Sequence, residues 1–186
     1  FIDSYFCKYL AEGSWTSVTI ANRLVQMPLG VLMTAFLVPV FPKISEMVQE
    51  KRFARIREVL TKAIGVLLLI SIPAVVVGML FPKQIISIIF ERGAFNAEST
   101  LLVSEVFFYL CLSIIPYVLR DSFTRTLYCF GDSRSPLYVM LVAIVLKFIL
   151  NSFLVTKYGI AGIAISTVAA SAFNATCLFF ILKHKF

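Results

Sequence analysis

Residues 14–42, SWTSVTIANRLVQMPLGVLMTAFLVPVFP, are long and apolar enough to cross a bilayer as a helix, yet Arg23 sits well inside them. A guanidinium in hydrocarbon costs about 3 kcal/mol on insertion scales, so such a residue normally faces a protein interior or a water-filled cavity. Thr16, Thr19, Arg23, Gln26 and Gly30 follow steps of three and four and share one helix face. Val18, Ile20, Leu24, Val25, Leu29 and Leu32 occupy the other faces. One polar stripe with one arginine on a spanning helix is the pattern expected of a transport pathway, and the plainer alternative is an arginine paired to a neighbouring helix for structure. Pro28 lies at mid-span, where a missing N–H kinks a helix, and marks a candidate hinge five residues from Arg23. Pro39 and Pro42 close the segment.

The rest of the chain agrees with a membrane setting. Of 186 residues 60% are hydrophobic and only 15% charged, against about 25% charged in soluble domains, and mean hydropathy is +0.93. The expected fold class is therefore an all-α integral membrane protein, a multi-helix transmembrane bundle. The chain opens without methionine on residues that read as the tail of a helix, which suggests a fragment of a longer protein. Spanning helices are expected at 14–40, 61–81, 100–129, 136–156 and 160–182, with an amphipathic cytoplasmic connection at 43–60. That connection carries Lys43, Lys51, Arg52, Arg55 and Arg57 opposite an apolar face of Ile44, Met47, Val48, Phe53 and Ile56. Residues 84–90 are too short to span, and Glu91 to Phe95 with Asn96 read as an outer turn and a helix cap.

Loop charge gives the orientation. Ten Lys and Arg fall in loops assigned inside, at positions 43 to 62, 125, 134, 183 and 185. Four, at Lys8, Lys83, Arg92 and Lys157, fall in loops assigned outside. That asymmetry fits the positive-inside rule and puts the Ser14 end outside. The net charge of +7 is thus a statement about topology, not about nucleic acid.

Catalytic patterns are missing. The sequence has no Gly-rich phosphate loop, no HExxH, no GxSxG and no pair of carboxylates spaced for acid–base work. Cys7, Cys111, Cys129 and Cys177 are scattered, and His184 is the only histidine, so neither a disulfide framework nor a metal site is expected, nor any cofactor. What the membrane segments do hold is positive charge. Arg120 and Lys147 join Arg23 as candidate cavity cations, with Asp121 positioned four residues from Arg125 to pair with it. A positive cavity suits an anionic ligand, and arginine matches phosphate oxygens in a bidentate fork. Thr19, Asn22 and Gln26 are the candidate hydrogen-bonding partners in the same site. Gly162, Ser166, Ala170 and Asn174, at steps of four, form a small-residue stripe for close helix packing.

Five short motifs carry a family resemblance. Ala21 to Val31, ANRLVQMPLGV, resembles the A-[ND]-R-L-x-x-x-P-x-G-V stretch of the MurJ (MviN) lipid II flippases. Phe41 to Ser45, Phe90 to Phe95, Tyr128 to Pro136 and Tyr158 to Gly162 are similar to four further motifs of that family, in the right order. The resemblance implies the MOP superfamily fold, two six-helix lobes around a central cavity, with this chain as most of the second lobe. It implies a multi-pass protein of the bacterial inner membrane that flips lipid II by alternating access, with undecaprenyl-diphosphate-linked sugar, membrane lipids and a first lobe of the same protein as partners. It also implies that Arg23 is the cavity arginine of the motif. Asn22 and Gln26 stand where some members carry carboxylates, and Lys147 matches no family feature. Another exporter of the superfamily and a non-transporting membrane scaffold remain alternatives.

Overall fold

The computed structural model describes residues 2–8, 10, 13–91 and 97–185, except the side chain at position 37. The expected turns at 11–12 and 92–96, with the Asn96 cap, lie outside the described residues. Helices dominate: α1 (Ile2–Cys7), α2 (Ser14–Leu32), α3 (Val40–Gln49), α4 (Phe53–Leu80), α5 (Pro82–Phe90), α6 (Ala97–Cys111), α7 (Ile114–Cys129), α8 (Arg134–Tyr158) and α9 (Ile160–Lys185). The described residues contain no strand. The all-helical membrane bundle read from composition is the fold observed. Three helices, α4, α8 and α9, are each long and apolar enough to cross a membrane, and two bent pairs could supply two more spans.

Prolines explain both bent pairs. The segment expected to run unbroken from 100 to 129 divides into α6 and α7, which meet at 48°. Pro116 cannot donate to the carbonyl of Leu112, and its ring presses on that carbonyl. The chain answers with a tight turn. Leu112 N–H bonds Tyr109 O at 3.2 Å, Ser113 N–H bonds Leu110 O at 2.9 Å, and the Ser113 hydroxyl donates to the same Leu110 carbonyl at 2.6 Å. The other bend, 51°, lies between Ser14–Phe36 and α3. Helix α2 continues through Pro28, and the regular ladder is lost only at Met33–Leu37, which is π-helical. There Val38 N–H reaches back five residues to Met33 O at 3.3 Å, ahead of Pro39 and Pro42. The bend associated with Pro28 in the sequence therefore lies about two to three turns later. Pro73 sits inside α4 without ending it.

The amphipathic connection is two pieces rather than one helix. It breaks at Lys51, which takes a left-handed φ of 57°. Arg52 N–H bonds Met47 O and Lys51 N–H bonds Val48 O, the paired bonds of a Schellman cap. Glycine is the usual residue at that place, so its absence hid the turn. The apolar face of the connection packs on protein. Ile44 and Ile56 are fully buried beside Met47, and the Phe53 ring stacks on Phe130 at 6.3 Å. A second Schellman cap closes α7 at Gly131, and Asp132 then caps α8 by accepting from Ser135 N–H and Oγ. Lys185, near the end of α9, pairs with Asp132 at 2.6 Å. The starts of α4 and α8 thus gather with the ends of α7 and α9 at one basic end of the bundle.

Helices α8 and α9 approach closely. Gly159 turns the chain between them at a φ of 57°. At Gly162 a Cβ would lie 2.4 Å from Leu154 O, so only glycine fits. Ser166, Ala170 and Asn174 continue this buried edge.

One polar network ties α1 to this pair. Lys147 Nζ donates to Asp3 Oδ2 at 2.7 Å, and Asn151 Nδ2 donates to Asp3 Oδ1 at 3.1 Å. The Ser166 hydroxyl bonds Asn151 Oδ1 and also Ile163 O. Asn151 and Ser166 are fully buried. Lys147, expected as a free cavity cation, is instead neutralised by a carboxylate, because an ammonium at this depth is stable only when paired.

Three outcomes follow from this packing, each measured on the purified full-length protein in detergent. Gly162→Ala should lower stability by about 1–3 kcal/mol in thermal unfolding, since the new methyl meets backbone rather than a movable side chain. Lys147→Met should cost about 3 kcal/mol by stranding the Asp3 carboxylate, and Asp3→Asn added to it should restore most of that loss. Asp132 is held down at about 2 by Lys185 and then by its two bonds from Ser135. A carboxyl depressed on folding stabilises above its ordinary range, near pH 4, and loses that contribution as pH falls through about 2. Asp132→Asn should therefore lower the unfolding temperature at pH 7, with the gap from wild type closing towards pH 2.

Candidate functional site

The polar stripe of α2 is left uncovered by the described residues. Val18, Ala21, Val25 and Leu29 are buried, chiefly where α2 packs against α6. Arg23, Gln26 and Gly30 lie on the opposite, exposed side, with Met27 71% and Val31 69% exposed beside them. Arg23 makes no hydrogen bond or ion pair with any described residue. This follows from the spacing: apolar residues at steps of three and four take one face into the core, and the stripe offset from them is turned out.

Beyond Arg23 the stripe enters a groove of about 370 Å³ between α2 and α7. Gln26, Gly30 and Thr34 line one wall, and Tyr117, Arg120, Asp121 and Arg125 line the other. Arg120 donates from Nε and Nη2 to Asp121 Oδ1, at 2.9 and 2.7 Å. Its guanidinium also lies 4.8 Å from the centre of the Tyr117 ring. The expected pair between Asp121 and Arg125 is not formed. The adjacent Arg120 takes the carboxylate with two donors, and Arg125 rests over the Phe41 ring at 5.5 Å. The wall from α7 therefore carries one neutralised arginine and one arginine without a carboxylate. With Arg23 nearby, the exposed face has surplus positive charge and room for an anion.

The other candidate residues stand apart from the groove wall. The Thr19 hydroxyl donates to Trp15 O at 2.8 Å, and Asn22 Nδ2 donates to Val18 O at 3.0 Å. Both side chains spend a donor on their own helix, four residues back. Lys147 does not line the groove and is held by Asp3. The structure brings Gln26 and Arg120 together and keeps Arg23 one turn away on the same helix. It adds Thr34, Tyr117 and Arg125, which the sequence reading did not place in the site. Tyr117 had a signal, three residues before Arg120 on one helix face. Thr34 had one too, four residues beyond Gly30 on the same stripe, whereas Arg125 had none, because the bends at 33–39 and 112–113 set which residues of the two spans face each other. Among the described residues no group of three or more His, Cys, Asp or Glu could hold a metal ion.

Comparisons with known proteins identify the family. The sequence model of a family described as "Lipid II flippase MurJ" matches residues 1–186. A probable lipid II flippase MurJ of Helicobacter pylori (strain J99 / ATCC 700824) is 30% identical over 177 residues, covering 93% of this chain and 38% of that protein. One from Rhizobium tropici is 28% identical over 174 residues, 94% of this chain and 33% of the relative. One from Synechocystis sp. (strain ATCC 27184 / PCC 6803 / Kazusa) is 27% identical over 183 residues, 97% and 34%. Among solved structures, "Lipid II flippase MurJ, inward closed conformation" superposes with a TM-score of 0.88 at 23% identity, over 98% of this chain and 38% of that one, a shared fold. The chain spans a third to two fifths of the length of these relatives. Flippases move a lipid rather than transform it, so this is a family of transporters and not of catalytic enzymes, multi-pass in the bacterial cytoplasmic membrane. With its whole described length matched and its fold shared, the chain belongs to the MurJ family.

Proposed function

We propose that this chain forms part of a flippase that carries lipid II, an undecaprenyl-diphosphate-linked sugar, across the bacterial inner membrane by alternating access. The observation that carries the reading is Arg23: a guanidinium with no partner among the described residues, on the open face of an apolar spanning helix. A charge in that position is stable where it meets water or an anionic ligand, and it is wasted on structure. In this reading Arg23 grips the diphosphate with its planar fork, and Gln26 adds an amide donor one turn on. Arg125 supplies further positive charge from α7. Arg120 spends two of its five N–H donors on Asp121, and the remaining ones face an incoming phosphate oxygen without breaking that pair. Thr19 and Asn22 contribute their remaining lone pairs at the margin of the site. The lipid tail stays in the bilayer while the two bent pairs give this half of the protein places to flex.

The experiment is complementation of cells depleted of their own flippase, using the full-length protein. Arg23→Ala should abolish rescue while the protein still reaches the membrane in normal amount. Arg23→Lys keeps the charge and loses the bidentate geometry, so transport should fall about tenfold rather than vanish. Normal growth on the alanine variant would overturn the role given to Arg23.

A further inference from the structure

A second groove lies at the basic end of the bundle, among α4, α7 and α9. It encloses about 620 Å³ and carries Arg57 and Lys183 at its mouth, with Ile64, Leu119, Phe123 and Phe179 behind them. Leu119, Phe123 and Phe179 also line the next groove, about 810 Å³ and almost wholly apolar, which runs on to Pro116 and Val168. The two form one channel open along its side. From Lys183 back to Val168 along α9 is about 22 Å, the thickness of one leaflet with its headgroups.

The charges at the mouth are available. Arg57 and Lys183 are exposed, and neither has an ion-pair partner among the described residues. The neighbouring carboxylates are already engaged, Glu58 by Lys62 at 2.6 Å and Asp132 by Lys185 at 2.6 Å. Thr61, also on this rim, offers a hydroxyl. Two cations at headgroup level above an apolar channel one leaflet deep match a single kind of occupant in both charge and length.

We propose that this groove is a binding site for an anionic phospholipid of the inner leaflet. The phosphate sits between Arg57 and Lys183, and one acyl chain lies along Leu119, Phe123 and Phe179 towards the α6–α7 bend. The site is separate from the α2–α7 groove and does not rest on lipid II being the transported molecule. Because the acyl chain would end at Pro116, its occupancy also fills the space beside the bend, so the lipid stabilises the bent form of the α6–α7 span.

The test uses the full-length protein in nanodiscs, with retained lipid read by native mass spectrometry. Phosphatidylglycerol should be retained in preference to phosphatidylcholine. The double variant Arg57→Gln with Lys183→Gln should lose that retention by about thirtyfold, the product of two cations at a charged surface. Arg134→Gln, an exposed charge at the same end but outside the groove, should leave it unchanged. Equal retention of both lipids, or an equal loss in Arg134→Gln, would show general surface attraction and overturn the site. A photocrosslinking residue at Phe179 should yield phosphatidylglycerol adducts. Crosslinks to another segment of the same protein instead would mean that protein covers the groove, and would equally overturn the proposal.

Discussion

A charge buried in hydrocarbon must find a partner, and most of this structure's polar arrangement can be read from how each charge meets that demand. Lys147 meets it with Asp3, whose other oxygen accepts from Asn151, and Ser166 bonds Asn151 in turn, so the network joins three helices. Arg120 meets it with the adjacent Asp121 and the face of Tyr117. Arg125 rests on an aromatic ring. Arg23 alone among these has no such contact. The four residues look alike in the sequence, each a cation in an apolar run. They separate into partnered and unpartnered cations, among the described residues, only by what stands beside them.

The backbone is governed by the same demand. Proline withholds a donor and interrupts the regular ladder. Ahead of Pro116 the chain tightens into a short turn in which Ser113 donates to Leu110 O, and the span bends by 48°. Ahead of Pro39 it widens into a π-turn, and the span bends by 51°. Pro28 and Pro73 remain inside helices that continue past them. The bends place α7 across the later part of α2, which is why the groove is lined by Gln26 and Thr34 rather than by Thr19 and Asn22. The geometry of the groove thus comes from these two interruptions.

The ends of the bundle show how charge and packing divide the work. At the basic end, ion pairs and Schellman caps fix the turns, while the buried face of α3 and the start of α4 seal the helix ends against water. The amphipathic connection is thus less a free helix lying on lipid than a lid packed on protein, with its basic residues facing outward. The close α8–α9 pair, set by Gly162, gives the bundle one tightly packed side.

The amino-acid sequence alone determined the membrane setting, the helical class and the stripe that carries Arg23. Those follow from hydropathy and from the 3.6-residue period, which are local properties. The small-residue edge at Gly162 was legible for the same reason. The tertiary structure decided the rest, since it depends on which residues meet across the chain. It paired Lys147 with a residue 144 positions away, gave Asp121 to Arg120 rather than Arg125, and broke the connection at Lys51, where no glycine announces a turn. Ion pairs and helix bends are settled by competition among neighbours in space, and no spacing rule along one helix contains that competition.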